Sequence, residues 1–359
     1  MYRKTVKKIL LFLFMITFIL TGSACTARRS NPPSDMSSSV LSTDVSTLDV
    51  YFIDVGQGDA TLIRTPDGRN ILVDSGPGAS AKKLVQFLNS NKVETIDYLI
   101  STHPHEDHIG GMVDVLDNFD VKMVLDPAYA HTSSTFEKYL GKVDELDIPF
   151  TAARAGDRYV IGDVYLEILW PVSVPDKADD LNEISVVSRV TYKDFSLILT
   201  GDIGTDTEKA MYDQGLLKST TALKVAHHGS RGSTSSIFIR TVDPEIAVIS
   251  VGEGNSYGHP TQKALNALKN ADYLYRTDLD GTVHVISDGN EFEITTEKGT
   301  SQSQTANSST VYYGNSNSHV FHTDSCNSIA QTKPSNLVKF QTREAAIKDG
   351  YRPCKNCNP

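Results

Sequence analysis

Alternating apolar and polar positions predict a series of strands and helices between Leu48 and Thr296. Short apolar runs bounded by Gly, Pro, Asn or Asp indicate strands, and apolar residues three or four positions apart indicate helices. The predicted strands are 48–56, 60–65, 70–76, 95–102, 121–127, 164–171, 184–192, 195–202, 222–230 and 245–252, and the predicted helices are 81–90, 110–119, 135–146, 206–216 and 261–270. Strand pairs mixed with strand–helix alternation favour an α/β fold with helices covering two packed sheets.

Residues 1–24 have the pattern of an export signal. Basic residues precede the apolar run Ile9–Leu20, and small residues follow it up to Cys25. The run is shorter than the roughly 20 residues that a membrane-spanning helix needs. The stretch ending at Cys25 resembles a bacterial lipoprotein signal, although Gly22 stands where that signal usually has leucine. We expect an extracytoplasmic bacterial protein held at the cell membrane by a lipid on Cys25, with simple secretion or an uncleaved anchor as the alternatives.

Two polar segments divide the remainder of the chain. Residues 25–47 are rich in Ser, Pro and Thr and predict a flexible tether, and residues 297–310 predict a linker. The predicted units are therefore a body at 48–296 and a C-terminal module at 311–359. With 359 residues, 39% of them hydrophobic, the chain can bury a sizeable core.

The body is acidic. Residues 31–310 contain 22 Lys and Arg residues against 41 Asp and Glu residues. Because Lys and Arg contacts to phosphate dominate nonspecific nucleic-acid binding, this balance argues against strong binding of that kind unless basic residues cluster locally. Lys224, Arg231 and Arg276 are the candidates for such a cluster.

A dense set of ionisable residues follows the predicted strand 95–102. The stretch "STHPHEDHIGG" contains His103, His105, Asp107 and His108. In an extended segment alternate side chains point the same way, so His103 and His105 can converge, while Asp107 and His108 turn to a neighbouring point as the chain enters a helix. Imidazole and carboxylate groups are ligands for zinc, manganese or iron. We predict a divalent metal site, zinc or manganese, with one or two ions.

This H-x-H-x-D-H pattern resembles the signature of the metallo-β-lactamase superfamily, and the resemblance covers about Leu48 to Thr296. It implies an αββα sandwich in which Asp202, in "LILTGD", bridges two ions. Asp59 and Asp74 would then lie near the metals, where they hold the ligands in position or contact substrate. The segment "KVAHHGS" would supply a late histidine ligand.

Which histidine of that late pair binds metal is left open by the sequence. Either His227 or His228 can reach a metal while the other contacts substrate or water. Alternation along the predicted strand 222–230 favours His227 as the ligand. His228, Ser230 and Ser185 are then the candidates for contacting an oxyanion.

One departure from the superfamily pattern concerns a further histidine ligand that members usually carry before the position of Asp202. Here Asn182 stands where that residue is expected, and the interval contains one histidine, His131, in a predicted loop. Asparagine is a weak metal ligand, so the metal position formed by His103 and His105 is expected to be loose or filled only with substrate bound.

The segments "DVGQGDA", "STHPHEDHIGG", "NEISVV", "LKVAHHGS" and "AVISVGEGNSYGHP" closely resemble the extracellular hydrolase domain of ComEC-type DNA-uptake competence proteins. The resemblance implies phosphodiester hydrolysis, with a nuclease acting on DNA as the leading expectation. Asp107 and His259 are the catalytic candidates, His259 as a general acid or a phosphate contact. No protein partner can be inferred from the sequence.

Two other functions fit the same residues. The motifs also resemble those of phosphorylcholine esterases that trim teichoic acids, and an acidic body with Trp170, Tyr192 and Tyr257 available suits a small choline cation. The other alternative is a non-catalytic metal- or nucleic-acid-binding protein that keeps the fold. The intact metal-ligand pattern argues against it.

The C-terminal module contains a second set of metal-ligand residues. His322 and Cys326 lie in "FHTDSC", and Cys354 and Cys357 lie in "PCKNC". Three thiolates and one imidazole can form a closed tetrahedral zinc site, which would stabilise a segment too short for a large core. The tail resembles the small zinc-binding module of the DNA-repair protein Ada. A disulfide with one remaining thiol is the alternative.

Overall fold

The computed structural model describes residues 46–299, 301–303, 312–323, 326, 328, 332–333, 336–340, 343–355 and 357. The predicted export signal, Cys25 and residues 26–45 of the predicted tether lie outside the described residues. Within the described part, no helix has the length and apolar character needed to cross a membrane.

The described chain alternates strands with short helices. The strands are β1 (Leu48–Phe52), β2 (Thr61–Arg64), β3 (Asn70–Val73), β4 (Thr95–Ile96), β5 (Tyr98–Ile100), β6 (Asp120–Val121), β7 (Val124–Asp126), β8 (Phe150–Ala152), β9 (Arg158–Ile161), β10 (Val164–Trp170), β11 (Val187–Tyr192), β12 (Phe195–Leu199), β13 (Ala222–Lys224), β14 (Ile246–Ile249), β15 (Tyr273–Arg276), β16 (Val283–Ser287), β17 (Phe292–Thr296), β18 (Ser301–Ser303), β19 (Tyr312–Asn315), β20 (Val320–Thr323), β21 (Leu337–Phe340) and β22 (Arg352–Pro353). The α-helices are α1 (Ala81–Ser90), α2 (Glu106–Ile109), α3 (Met112–Asn118), α4 (Ser134–Glu145), α5 (Thr205–Asp213), α6 (Ser236–Val242), α7 (Gln262–Ala267), α8 (Thr277–Asp280) and α9 (Arg343–Lys348). Short 3-10 helices occupy Gly78–Ser80, Leu181–Ile184 and Ala226–Gly229.

Two mixed sheets form the body. The first has the strand order β18-β17-β16-β1-β2-β3-β5-β7-β8, and β3, β5, β7 and β8 run parallel to their neighbours within that group. The second has the order β15-β14-β13-β12-β11-β10-β9, with β12 to β15 parallel. Each sheet therefore has a group of parallel strands whose carboxyl ends can carry functional residues at one edge.

Strand alternation sorts the apolar side chains into an inner and two outer layers. Ile71 and Val73 of β3 face a core between the sheets, which they share with Leu197 of β12. Leu72 faces the other way and packs with the apolar residues of α1, α3 and α4. Ile198 likewise faces outward and packs with residues of α5 and α6. This helix–sheet–sheet–helix layering confirms the predicted αββα sandwich.

The structure differs from the sequence prediction at several strands. Strands β8, β9, β15, β16 and β17 were not predicted, although the buried positions of β16 alternate as a half-buried strand requires. The predicted linker 297–310 contains β18, whose residues Ser301–Ser303 pair antiparallel with β17. Backbone pairing at a sheet edge does not need apolar side chains, so this polar segment gave no strand signal.

The C-terminal module forms its own sheet, with strand order β21-β19-β20-β22. Among the residues of this module that the structure describes, the buried apolar core consists of Phe321, Phe340, Ala346 and Tyr351. A core of this size contributes little stability by itself, which agrees with the prediction that a bound zinc ion stabilises the module.

Candidate metal centres

The candidate hydrolase site lies where parallel strands of both sheets end. Asp74 follows β3, and the H-x-H-x-D-H segment follows β5 in the first sheet. Asp202 follows β12, and His228 lies four residues beyond the end of β13 in the second sheet. A cleft of about 330 Å³ opens over these strand ends. It is lined by Gln57, His105, Glu106, Asp107, Asn182, Asp202, His227, His228, Tyr257 and His259.

The two sheets approach each other closely beside Asp202. Gly201 has a φ of 51°, and a Cβ added there would lie 2.9 Å from the Cβ of Ser185 and 3.0 Å from that of Thr102. A side chain at position 201 would separate these segments. The glycine therefore allows the carboxylate of Asp202 to reach the residues that follow β5.

Four side chains from the two sheets meet at one point. Oδ2 of Asp202 lies 3.3 Å from Nε2 of His108 and 3.3 Å from Nε2 of His228, and Oδ2 of Asp107 also lies 3.3 Å from Nε2 of His228. The candidate ligand atoms of these four residues all lie within 4.8 Å of one another. Two imidazoles and two carboxylates suit zinc, manganese or iron.

The hydrogen bonds of His108 and His228 leave their Nε2 atoms directed at this point. Nδ1 of His108 lies 2.7 Å from Oδ2 of Asp74, and Nδ1 of His228 lies 2.9 Å from the carbonyl oxygen of Ser250. These contacts place the ring proton on Nδ1 of each histidine. Both Nε2 atoms and Oδ1 of Asp202 are buried and have no hydrogen-bond partner among the described residues. Two imidazole nitrogens and a carboxylate oxygen that are buried without hydrogen-bond partners fit a bound cation.

The charges in the cluster oppose the effect of burial. Burial would lower the pKa of His108, but the carboxylates of Asp202 and Asp74 raise that pKa well above its usual value. Burial would raise the pKa of Asp107, but the neighbouring His228 ring and the charge of His108 lower it to about 2. The cluster thus keeps its carboxylates ionised, which is the form that binds metal, and a bound cation would displace the second proton that these carboxylates favour on His108.

His227 and His228 occupy different positions from those expected by strand alternation. Strand β13 ends at Lys224, and both histidines adopt left-handed backbone conformations with a φ of 52° in the short 3-10 helix that follows. The change of direction buries His228 in the cluster, whereas His227 lies at the cleft with Nε2 3.8 Å from Oδ2 of Asp202. The geometry therefore favours His228 as the ligand, in place of His227. Such strained backbone often accompanies a functional site.

His103 and His105 come together as their alternation predicts. Nε2 of His103 lies 2.9 Å from Nδ1 of His105, and Oγ1 of Thr102 lies 3.1 Å from Nδ1 of His103. Asn182 lines the same cleft, and its Oδ1 atom has no hydrogen-bond partner among the described residues. His131 lies outside the cleft lining and contacts Ser133.

The remaining predicted site residues have separate roles. Asp59 is buried 3.3 Å from Nδ1 of His228, so it lies behind the cluster. Ser185 is fully buried, accepts a hydrogen bond from the amide of Asp202 and donates to the carbonyl of Asn182. The Ser185 hydroxyl therefore helps to position Asp202 and Asn182, and its burial keeps it from contacting an oxyanion. Ser230 accepts from the amide of Gly232 and is not among the residues lining the cleft.

Lys224, one of the candidates for a basic cluster, does not lie at the surface. Its side chain is 2% exposed and forms an ion pair with Asp59, and its ammonium lies 3.9 Å from Oδ1 of Asp202. Arg276 pairs with Asp278. Lys224 is instead a buried cation beside the metal-binding carboxylates. The ion pair with Asp59 offsets the cost of burying the charge of Lys224. Burial alone would raise the pKa of Asp59, but the charge of Lys224 helps to lower it. The apolar neighbours of Lys224 in β13 were a signal of burial.

His259 is a half-buried member of the cleft. Its ring centroid lies 5.7 Å from that of His227 and 6.4 Å from that of His228. Burial lowers the pKa of His259, and the neighbouring His228 and His227 lower it further. This position allows contact with a group bound over the cluster.

A second cluster lies in the C-terminal module. Candidate ligand atoms of His322, Cys326, Cys354 and Cys357 all lie within 4.8 Å of one another. Nδ1 of His322 lies 3.3 Å from Sγ of Cys326 and 3.8 Å from Sγ of Cys357. No disulfide forms among the cysteines of the described residues. Three thiols and one imidazole in this arrangement can hold zinc.

The αββα fold and the cleft cluster are features of the metallo-hydrolase superfamily. Residues 53–253 match the model of the metallo-beta-lactamase superfamily, and the chain belongs to this superfamily. Residues 298–359 match the model of the metal binding domain of Ada.

Two curated relatives come from competence systems. ComE operon protein 3 of Bacillus subtilis (strain 168) is 32% identical over 77% of this chain and 39% of its own length. Competence protein ComA of Neisseria gonorrhoeae is 34% identical over 64% of this chain and 31% of its own. The chain thus spans well under half the length of these relatives. Among solved structures, the metallo-beta-lactamase fold protein YhfI of Bacillus subtilis aligns over 64% of this chain and 95% of its own, with 12% identity and a TM-score of 0.42.

Proposed function

We propose that this protein is a divalent-metal-dependent phosphodiesterase whose substrate is DNA. The observation that carries the proposal is the cluster of Asp107, His108, Asp202 and His228, with two buried Nε2 atoms directed at one point. The similarity to competence proteins supports a nucleic acid as the substrate.

Each residue of the cluster has a defined task. Asp107, His108, Asp202 and His228 would hold a zinc or manganese ion, and His103, His105 and Asn182 would hold a second. A divalent cation supplies Lewis acidity to a phosphodiester and lowers the pKa of water. Asp74 and the Ser250 carbonyl orient the two imidazoles.

His259 is the proposed contact to the phosphoryl group or to the leaving oxygen. It lies at the cleft over the cluster, where its ring can donate a hydrogen bond or a proton to an oxygen of the substrate. Asp107 is the carboxylate of the cluster most open to the cleft, because its side chain is 33% exposed while that of Asp202 is 3% exposed. We therefore keep Asp107 and His259 as the catalytic candidates.

The test uses the purified full chain with manganese or zinc and three substrates: linear DNA, bis-nitrophenyl phosphate and nitrophenyl phosphorylcholine. We expect cleavage of the first two, and loss of that cleavage in Asp202→Asn. Asp213→Asn, the same change at an exposed residue of α5, is the matched control and should keep full activity. No cleavage of any substrate by a metal-loaded chain would favour a binding protein instead.

A phosphorylcholine ester is the second candidate substrate. Glu106, Asp107 and Asp202 make the cleft acidic, and the exposed ring of Tyr257 lies at the same cleft. An aromatic ring beside acidic groups suits a quaternary ammonium cation. Cleavage of only the choline ester would replace DNA with this substrate.

We also propose export with a lipid on Cys25, on the evidence of the signal-like sequence alone. In a bacterial host, the chain should fractionate with membranes, and Cys25→Ser should move it to the soluble or secreted fraction. An unchanged membrane fraction in Cys25→Ser would contradict lipidation and favour an uncleaved anchor.

A further inference from the structure

The rim of the cleft carries an aromatic side chain that the proposed chemistry does not use. Tyr257 lines the cleft together with the cluster residues, yet it is 69% exposed. Its ring lies nearly parallel to that of His259, with centroids 5.8 Å apart and an interplanar angle of 22°. The His259 ring is in turn nearly parallel to that of His228, at 27°. A row of roughly parallel rings thus leads from the metal cluster to solvent.

The loop that carries Tyr257 is fixed by one asparagine. Oδ1 of Asn255 accepts hydrogen bonds from the amides of Tyr257 and His259, and its Nδ2 donates to the carbonyl oxygens of Gly252 and His259. The amide of Gly252 donates to Oε1 of Gln57, which ties the loop to the first sheet. The backbone that carries the exposed ring is therefore fixed before any ligand binds, which reduces the entropy cost of stacking on the ring.

The cleft needs a source of substrate affinity other than basic residues. Among the described residues that line it, none is Lys or Arg, and two are Asp and one is Glu. Lys224, the nearby cation, is buried and paired with Asp59. Stacking on an aromatic face does not depend on charge and accepts any base. Since Tyr257 stands at the mouth of the cleft, it is placed to meet the group next to a phosphate bound over the cluster.

We propose that Tyr257 is the stacking platform for the nucleobase adjacent to the scissile phosphodiester, so that the enzyme selects nucleotide esters over esters without a base. This inference rests on the proposed phosphodiesterase function and names the substrate group read outside the metal cluster. The flexible, unpaired bases of single-stranded nucleic acid are the form that this platform accepts.

The test compares two esters that share the scissile bond and leaving group: thymidine 5′-(nitrophenyl phosphate) and the same ester of the base-free deoxyribose. The wild-type chain should prefer the thymidine ester. Tyr257→Leu should lower kcat/KM for the thymidine ester roughly tenfold, the order expected for losing one base–aromatic stack, and leave the base-free ester nearly unchanged. Tyr257→Phe keeps the ring and should stay close to wild type.

The control is Tyr165→Leu, which removes a ring of similar exposure from β10, away from the cleft lining. It should hydrolyse both esters as wild type does. Equal loss on both esters in Tyr257→Leu, or no loss on either, would overturn the stacking role while leaving the hydrolase function in place. If Tyr257→Leu lowered kcat/KM only for nitrophenyl phosphorylcholine, the ring would be a platform for choline, and the role in nucleobase stacking would be overturned. Hydrolysis of neither ester by the metal-loaded wild type would overturn the proposed function and this inference with it.

Discussion

His108 donates from Nδ1 to Oδ2 of Asp74 across 2.7 Å, and this hydrogen bond joins helix α2, which follows β5, to the end of β3. Asp74 is itself held by the amide and the hydroxyl of Thr102, each 2.8 Å away. The carboxylate therefore fixes both the tautomer and the orientation of the His108 ring, so that Nε2 faces the metal cluster.

Replacing Asp74 by Asn should weaken metal binding without removing a ligand. The amide cannot accept from Nδ1 with the strength of a carboxylate, and we expect an affinity for manganese or zinc about 10- to 100-fold lower. Competition with a chromogenic chelator measures this. Asp213→Asn is the control, and an affinity equal to wild type in Asp74→Asn would show that Asp74 does not orient the ligand.

The two adjacent histidines should respond differently to substitution. His228→Ala should remove a ligand and greatly reduce the metal affinity of the hydrolase site, because the Nε2 atom of His228 lies 3.3 Å from oxygens of both Asp107 and Asp202. His227→Ala should keep the metal and alter only turnover. The same chelator competition distinguishes them, and the reverse order of effects would restore His227 as the ligand.

Asp126 should make stability depend on pH outside the metal sites. Burial raises the pKa of Asp126 to about 6, despite hydrogen bonds from the amide of Ala128 and from nearby hydroxyls. A carboxyl with a raised pKa in the folded state is protonated in both states below about pH 4 and carries a buried charge above about pH 6. Its contribution to the free energy of unfolding therefore falls as pH rises through this window, by about 3 kcal/mol.

Denaturant unfolding of wild type and Asp126→Asn at several pH values between 4 and 7 tests this. Subtracting the two curves removes the titration of groups common to both proteins. Wild type should lose stability relative to Asp126→Asn as pH rises. Parallel curves would contradict a raised pKa at this residue.

The C-terminal cluster should bind zinc independently of the hydrolase site. Cys354→Ser in the full chain should remove one tightly bound zinc under reducing conditions, because an incomplete ligand set binds far more weakly. Colorimetric release of zinc measures the loss. Cys25→Ser, a cysteine change outside the cluster, should keep the ion, and equal zinc contents in the two variants would favour the disulfide alternative.

Much of the fold and of the cluster could be predicted from the sequence, because both depend on local patterns. The apolar run Ile71, Leu72 and Val73 predicts strand β3, and the spacing of His103, Asp107 and His108 predicts candidate ligands. Strand alternation predicts His227 as the ligand, whereas the geometry favours His228, because β13 ends at Lys224 and the backbone turns left-handed.

Other features depend on contacts between distant segments. The pairing of Lys224 with Asp59 joins β13 to the loop between β1 and β2, so the apolar neighbours of Lys224 could indicate its burial but not the carboxylate that pairs with it. Ser185 was a candidate for substrate contact by position, but its hydroxyl is used by Asp202 and Asn182. The platform at Tyr257 depends on the Asn255 hydrogen bonds that fix the loop.

The metal content of the folded chain tests the central claim most directly. In the Cys354→Ser background, which lacks the C-terminal zinc, elemental analysis after equilibration with manganese or zinc should find at least one ion per chain. Adding Asp202→Ala should reduce that content nearly to zero while circular dichroism stays unchanged. An unchanged ion content in the double variant, or a metal-free folded Cys354→Ser chain, would contradict a cation held between the residues after β5 and the carboxylate after β12.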